Sequence, residues 1–234
     1  MKEENKVLKM SQGLIVSCQA LEDEPLHSSH IMAKMARAAE VGGAVGIRAN
    51  TAVDIVAIKE EVELPVIGIY KKNYGTCPVF ITPTMTEVDE IVASGAEIVA
   101  MDGTSRVRPD GTVISELFPE IRQKYPEQFF MADVATLEEA IEAERLGFDF
   151  VAPTLFGYTE ETSGKKIADD DFALLRQMVR EIRMAGVIAE GNVLTPEIAK
   201  QIQQIGVFAI VVGGAITRPQ LITARFVDSL KGNS

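Results

Sequence analysis

The stretch Leu64-Pro65-Val66-Ile67-Gly68-Ile69-Tyr70-Lys71-Lys72 decides how the rest of the chain is read. A short apolar run bounded by proline and stopped by two lysines has the length and composition of a buried strand. The lysines allow two readings: side chains solvated where a strand surfaces, or, for Lys71, a proton-exchanging group at the mouth of a pocket. Alternation along a strand places Ile67, Ile69 and Lys71 on one side and Tyr70 on the other.

Working outward, the same unit recurs on both sides. Apolar runs at 13–19 and 44–48 end in polar residues and are followed by helical spacing over 28–40 and 51–62. Beyond the opening stretch, strands are expected at 97–101, 129–132, 148–152, 186–189 and 208–212. Helices are expected at 86–93, 115–124, 136–146 and 171–184, with one capped by Thr195-Pro196 and a last one opened by Arg218-Pro219. The longer connection 74–84 holds one extended piece at Val79-Phe80-Ile81. Eight strands alternating with helices within 234 residues point to a single (β/α)8 barrel domain over 1–234, with a doubly wound open sheet as the alternative. The glycines that turn a helix into its strand recur 52 residues apart at Gly43, Gly95 and Gly147, and again 59 later at Gly206. Four quarters of two β/α units each suit a barrel better than an open sheet.

Composition narrows the function. With 47% hydrophobic and 24% charged residues the chain has a sizeable core and a wetted surface. A formal net charge of -11 argues against nucleic acid or an anionic membrane as partner, so any phosphate ligand must be held by local groups. Cys18 and Cys77 show neither a CxxC nor a zinc spacing, which leaves a reducing cytoplasm as the default location. The apolar run 13–16 is too short for a signal peptide, and 206–216 falls short of the roughly 20 residues of a membrane helix. His27 and His30 lie three apart with no third ligand nearby in sequence, so no metal site is expected.

In a parallel barrel all strand C-termini share one face. Gln19, Arg48, Lys71, Asp102, Asp133, Thr154, Glu190 and Gly213-Gly214 are therefore expected on one rim. Any one of them could be no more than the place where a strand meets water, but charged residues closing five strands argue for a shared site. Gly191-Asn192 and Gly213-Gly214 follow the seventh and eighth strands, where bare backbone N–H groups often hold phosphate, and Arg218 adds a charge. For Lys71 to act as a base it must lose a proton it holds with a pKa near 10.4, a cost at pH 7 of roughly 4.6 kcal/mol. Burial and Arg48 would lower that value, while Glu190 or Asp133 would raise it. Glu190 itself is a candidate acid, base or lysine partner. Asp102 and Asp133 are better suited to hydrogen-bonding loop backbone.

Taken in order, Val16-Ser17-Cys18-Gln19-Ala20, Gly46-Ile47-Arg48-Ala49, Pro65 to Ile69 before Lys71, Met101-Asp102-Gly103-Thr104 with Arg106, Arg108 and Pro109, Ala132-Asp133, Gly157-Tyr158-Thr159, Ala189-Glu190-Gly191 and Val211 to Pro219 resemble the N-acetylmannosamine-6-phosphate 2-epimerases. The likeness spans about 13–226. It implies a TIM barrel that interconverts N-acetylmannosamine 6-phosphate and N-acetylglucosamine 6-phosphate in sialic acid catabolism, as a homodimer, with no metal or nucleotide cofactor. It further implies Lys71 as the proton-transfer residue with Glu190 as acidic partner, Gln19, Arg48 and Asp133 around the sugar and Arg218 near the phosphate. Thr154 and Tyr158 are added as candidate sugar contacts, and Gly191, Asn192, Gly213 and Gly214, by their place after the last two strands, as candidate phosphate contacts. Tyr70, where an aliphatic residue is expected, and Phe156, where a small one is expected, depart from the pattern. A Schiff-base lyase using Lys71 and a non-catalytic sugar-phosphate sensor are the alternatives.

Overall fold

The computed structural model describes residues 6–232. Its strands are β1 (Leu14–Cys18), β2 (Gly46–Asn50), β3 (Val66–Ile69), β4 (Ile98–Asp102), β5 (Phe129–Asp133), β6 (Phe150–Ala152), β7 (Gly186–Ala189) and β8 (Ala209–Val212). Each pairs in parallel with the next, and β8 returns to β1 with Ile15 opposite Val211. The sheet is therefore a closed barrel, which excludes the open-sheet alternative. Around it lie α1 (Ser29–Val41), α2 (Ala52–Glu61), α3 (Met85–Ala93), α4 (Ile114–Lys124), α5 (Leu137–Leu146), α6 (Asp169–Glu181), α7 (Pro196–Ile205), a four-residue α8 (Gly214–Thr217) and α9 (Pro219–Leu230).

Strand alternation divides the apolar residues into two cores. Ile15, Ile67, Ile69, Ile98, Ala100, Met131, Phe150, Ala152, Ile188, Ala209 and Val211 fill the barrel interior. The opposite row, including Ile47, Val66, Val99, Phe130, Val151 and Val187, packs under the helices. The N-terminal segment belongs to the inner core, with Val7 and Met10 buried among its residues. Tyr70 packs with the outer core, as its parity requires. At Gly68 the wall admits no side chain, because a Cβ there would stand 2.6 Å from Ile91 and 2.8 Å from Ile55. That close approach seats α2 and α3 on β3.

Local signals set the helix ends. Thr136 and Glu139 cap α5 reciprocally, and Thr195 accepts from the Ile198 N–H ahead of Pro196 at the start of α7. The four spaced glycines all stand at positive φ between a helix and the next strand. Several boundaries differ from expectation. β2 runs on to Asn50, so Arg48 lies within the strand and not at its end. α6 starts at Asp169 and contains a left-handed turn at Asp170, Asp171 and Phe172. The extended piece near Ile81 exists as an antiparallel bridge to Lys71.

Candidate active site

The inward-facing row of each strand is apolar at the bottom and polar at the C-terminal mouth. Ser17 and Gln19 continue the row of Ile15, Lys71 that of Ile67 and Ile69, Asp133 that of Met131, Thr154 that of Ala152, and Glu190 that of Ile188. A cavity of about 700 Å³ opens at this mouth, within the usual range for small-ligand pockets. Gln19, Arg48, Lys71, Thr154, Tyr158, Glu190, Gly191, Asn192, Gly213, Gly214 and Arg218 all line it. Asp133 does not. It lies beneath the cavity floor, fully buried, behind Arg48.

Arg48 and Asp133 form a two-point pair across the lumen, Nη1 to Oδ1 at 3.0 Å and Nη2 to Oδ2 at 2.6 Å. Thr154 donates its hydroxyl to the same carboxylate at 2.6 Å. Fixed from below, Arg48 extends Nη1 to Glu190 Oε2 at 2.6 Å. A buried arginine between two carboxylates explains why the charge does not end β2, since it is paired inside the barrel and needs no solvent. Burial opposes its positive charge, but Asp133 and Glu190 more than offset this and raise its pKa further.

Lys71 lies two residues past the end of β3, with its N–H donated to Asn50 Oδ1 at 2.8 Å. Its Nζ makes no hydrogen bond or ion pair among the described residues. Burial is the largest cause of a pKa lowered to about 8, helped by the cations Arg48 and Arg218 and resisted by Glu190 and Asp133. Loss of the proton at pH 7 then costs about 1.4 kcal/mol, against the roughly 4.6 kcal/mol of a free lysine. Glu190 moves the opposite way. Burial raises its pKa to about 7 against the pull of Arg48 and Lys71.

The other end of the cavity is built from backbone. Gly191 at φ 118 turns the chain after β7 in a conformation that favours glycine, and Asn192 comes next at φ 52. After β8, Gly213-Gly214 open the short α8, and the long last helix begins only at Pro219. Gly213, Gly214 and Ala215, at the start of α8, line this end of the cavity. Arg218 is held by Glu24, with Nε 2.7 Å from Oε1 and Nη2 2.9 Å from Oε2. Burial works against the charge on Glu24, but the Leu21 N–H and Arg218 keep its carboxyl below the ordinary range.

Gln19 donates to Ser17 Oγ at 2.9 Å, while its own Oε1 is buried without a partner in the cavity wall. Tyr158 stands exposed on the rim, and Phe156 lies away from the cavity lining, against Lys165. Asp102 also stays out of the site. It accepts from the N–H and hydroxyl of Thr104 and pairs with Arg106, fixing the loop after β4. Sequence reasoning missed Ser17, Asn50 and Glu24. The first two were marked by sharing strand parity with Gln19 and Arg48, whereas nothing local ties Glu24 to a partner 194 residues away. No group of three or more potential metal ligands occurs among the described residues.

Fold and site together define a (β/α)8 barrel whose mouth holds a lysine amine and a glutamate carboxyl that burial draws towards neutrality. Residues 32–232 match the family model described as "Putative N-acetylmannosamine-6-phosphate epimerase". The chain belongs to the N-acetylmannosamine-6-phosphate epimerase family. It is 54% identical over 224 residues to a protein from Borreliella burgdorferi described as "Putative N-acetylmannosamine-6-phosphate 2-epimerase", covering 96% of this chain and 97% of that one. A protein of the same description from Listeria monocytogenes serovar 1/2a is 54% identical over 223 residues, covering 95% and 94%. The solved N-acetylmannosamine-6-phosphate 2-epimerase of Clostridium perfringens superposes with a TM-score of 0.89 at 49% identity over 95% of each chain. The thiamine phosphate pyrophosphorylase of Pyrococcus furiosus, at TM-score 0.60 and 19% identity over 93% of each chain, shares the fold.

Proposed function

We propose that this chain interconverts N-acetylmannosamine 6-phosphate and N-acetylglucosamine 6-phosphate by proton transfer at C2, in the breakdown of sialic acid. The observation that carries the reading is the pair on the cavity wall: Lys71 with an unbonded amine of pKa about 8, and Glu190 at about 7. Two groups that start far apart in acidity and are brought close to neutrality are suited to exchanging protons with a substrate.

In the open-chain sugar, C2 lies beside the C1 aldehyde. The free amine of Lys71 takes the C2 proton, the electron pair moves into the C1 carbonyl, and an enolate forms. Arg48, on the cavity floor between Asp133 and Glu190, is assigned to that developing oxygen charge, its own charge being shared with the two carboxylates. Glu190, poised between acid and base, hands a proton to or from the ring or carbonyl oxygen. The Lys71 ammonium then returns a proton to the opposite face of C2 and inverts the centre. Gln19, Thr154 and Tyr158 orient the sugar, while Gly191, Asn192, Gly213, Gly214 and Arg218 receive the phosphate.

Proton NMR of N-acetylmannosamine 6-phosphate with the enzyme in heavy water tests this. Deuterium is expected at C2 of both sugars, and Lys71→Ala is expected to abolish the exchange with the fold intact. Full exchange in that variant would remove Lys71 from the mechanism.

The chain is further proposed to act in the cytoplasm as a homodimer. Cys18 and Cys77 are unpaired thiols, which suits a reducing compartment. None of the residues of α9 is buried; Leu221 lines the active-site cavity, while Phe226 and Leu230 are exposed further along the helix. Beside it an apolar groove of about 540 Å³ runs past Leu14, Ala199, Ile210, Val212 and Ile216. Pairing two copies would cover both surfaces.

A further inference from the structure

We infer that Thr82 is the positioning residue that sets the Lys71 amine in the mouth, acting through a strap, 80–82, spliced into the barrel wall. The inference rests on the reading of Lys71 as the base. β3 and β4 pair at Ile67 opposite Ile98 and Gly68 opposite Val99, and no higher. Above that point the strap fills the gap between them. It bonds the β3 side through Lys72 N–H to Phe80 O at 2.9 Å and Thr82 N–H to Tyr70 O at 2.7 Å. It bonds the β4 side through Asp102 N–H to Ile81 O at 3.0 Å.

The Thr82 hydroxyl closes the bottom of the gap. It donates to Ala100 O at 2.7 Å and accepts from Tyr70 N–H at 3.1 Å, so one oxygen joins the two strands where their own ladder has parted. Thr82 is wholly buried and holds φ 45, a left-handed conformation that is costly for a β-branched side chain. Such strain persists only where the surroundings over-determine it, and it gathers at functional sites. A second strained threonine stands on the other flank of Lys71. Thr51, at φ 70, donates its N–H to Ile69 O at 2.8 Å, next to Asn50, which accepts the Lys71 N–H. The main chain at 69–71 is thus gripped from β2 and from the strap. With Nζ making no bond to any of the described residues, that grip determines where the amine lies relative to Arg48, Arg218 and the cavity.

Thr82→Val removes the hydroxyl and keeps the shape. Its kcat is expected to fall about 10- to 100-fold, the scale of a misplaced reacting group, with KM within about threefold. The acid limb of its pH profile is expected to move upward as the amine gains access to water, and Thr82→Ser is expected to recover most of kcat and return the limb. A strap that only stabilised the fold would lower the melting temperature of Thr82→Val without moving the limb or separating kcat from KM, and that result overturns the inference. So does a folded Thr82→Val enzyme with kcat within about twofold, or a Ser variant no better than Val. Should Thr82→Val fail to fold, Asn50→Ala, which frees the Lys71 N–H from the opposite side, carries the same expected loss of kcat and shift of the limb. An unchanged profile there overturns the inference equally. Lys71→Ala measured alongside separates the two claims. Persisting isotope exchange removes the base assignment and the inference with it, whereas a dead Lys71→Ala beside a normal Thr82→Val removes the strap alone.

Discussion

As free side chains, a lysine and a glutamate titrate near 10.5 and 4.5, and in this site Lys71 and Glu190 are drawn to about 8 and about 7. Burial does most of this, because it penalises the charged form of each. Their mutual attraction works against it, and for Glu190 the larger opposing pull comes from Arg48. The pH dependence that results is open to measurement. kcat/KM is expected to rise with pH through an apparent pKa near 8 as Lys71 loses its proton. Glu190→Gln removes a negative charge that holds the Lys71 pKa up, so in that variant the limb moves to lower pH, whatever the loss in rate. A limb that stayed in place would show the two groups to be uncoupled. At this scale the sequence was informative wherever strand parity applied. Lys71, Glu190, Thr154 and Gln19 were legible as inward-facing polar ends of apolar rows. Asp133 obeyed the same parity, yet the depth of the Arg48 pair, which hides it from the cavity, depends on side chains meeting across the lumen and has no signature along the chain.

The loop 72–84, which carries the strap, is tied to α3 by one side chain. Glu87 has no exposed surface and accepts from Lys72 at 2.9 Å, from the Tyr74 hydroxyl at 2.7 Å and from the Thr84 hydroxyl at 2.5 Å. Burial resists its charge, but these donors hold its carboxyl below the ordinary range. A carboxylate whose folded pKa is depressed contributes stability above its unfolded pKa and loses it as the pH falls through the folded value. Glu87→Gln is accordingly expected to cost about 1–3 kcal/mol at pH 7, with the gap to the parent enzyme closing as the pH falls below the ordinary carboxylate range in denaturant titrations. A gap that held constant with pH would assign the loss to packing. Helix ends were the most legible elements, because a cap or a left-handed glycine acts within a few residues: Thr136 with Glu139, Thr195 with Pro196, Gly147 and Gly206 all stand where spacing put them. The strap was visible only as a short apolar piece, since its partners come from β3 and β4 together. The end of β2 was misplaced because a charged residue was taken as a sign of water, while Arg48 is neutralised within the barrel.

For the molecule as a whole, alternation of strands and helices was enough to identify the barrel, and the likeness of its motifs was enough to identify the family. The chain beyond β8 was less legible, because no residue of α9 is buried and its apolar positions therefore show no core-facing row. Sedimentation is expected to give twice the 25.4 kDa of the chain. Phe226→Glu with Leu230→Glu is expected to shift the protein towards monomer, and a monomeric parent enzyme would remove the dimer from consideration.

Arg218 has a further consequence. It is among the charges that hold the Lys71 pKa down, and it sits where the phosphate of the substrate is expected. A dianion seated there cancels that repulsion, so the amine gains proton affinity as the ligand arrives. Binding then draws protons from solution, by the reciprocity that links any two equilibria sharing a site. Near pH 8 the heat of binding N-acetylglucosamine 6-phosphate should vary with the ionisation enthalpy of the buffer, by a fraction of a proton per site, and the unphosphorylated sugar should show no such dependence. The 6-phosphate, remote from C2, would in this way set how readily the reacting end of the molecule gives up or receives its hydrogen.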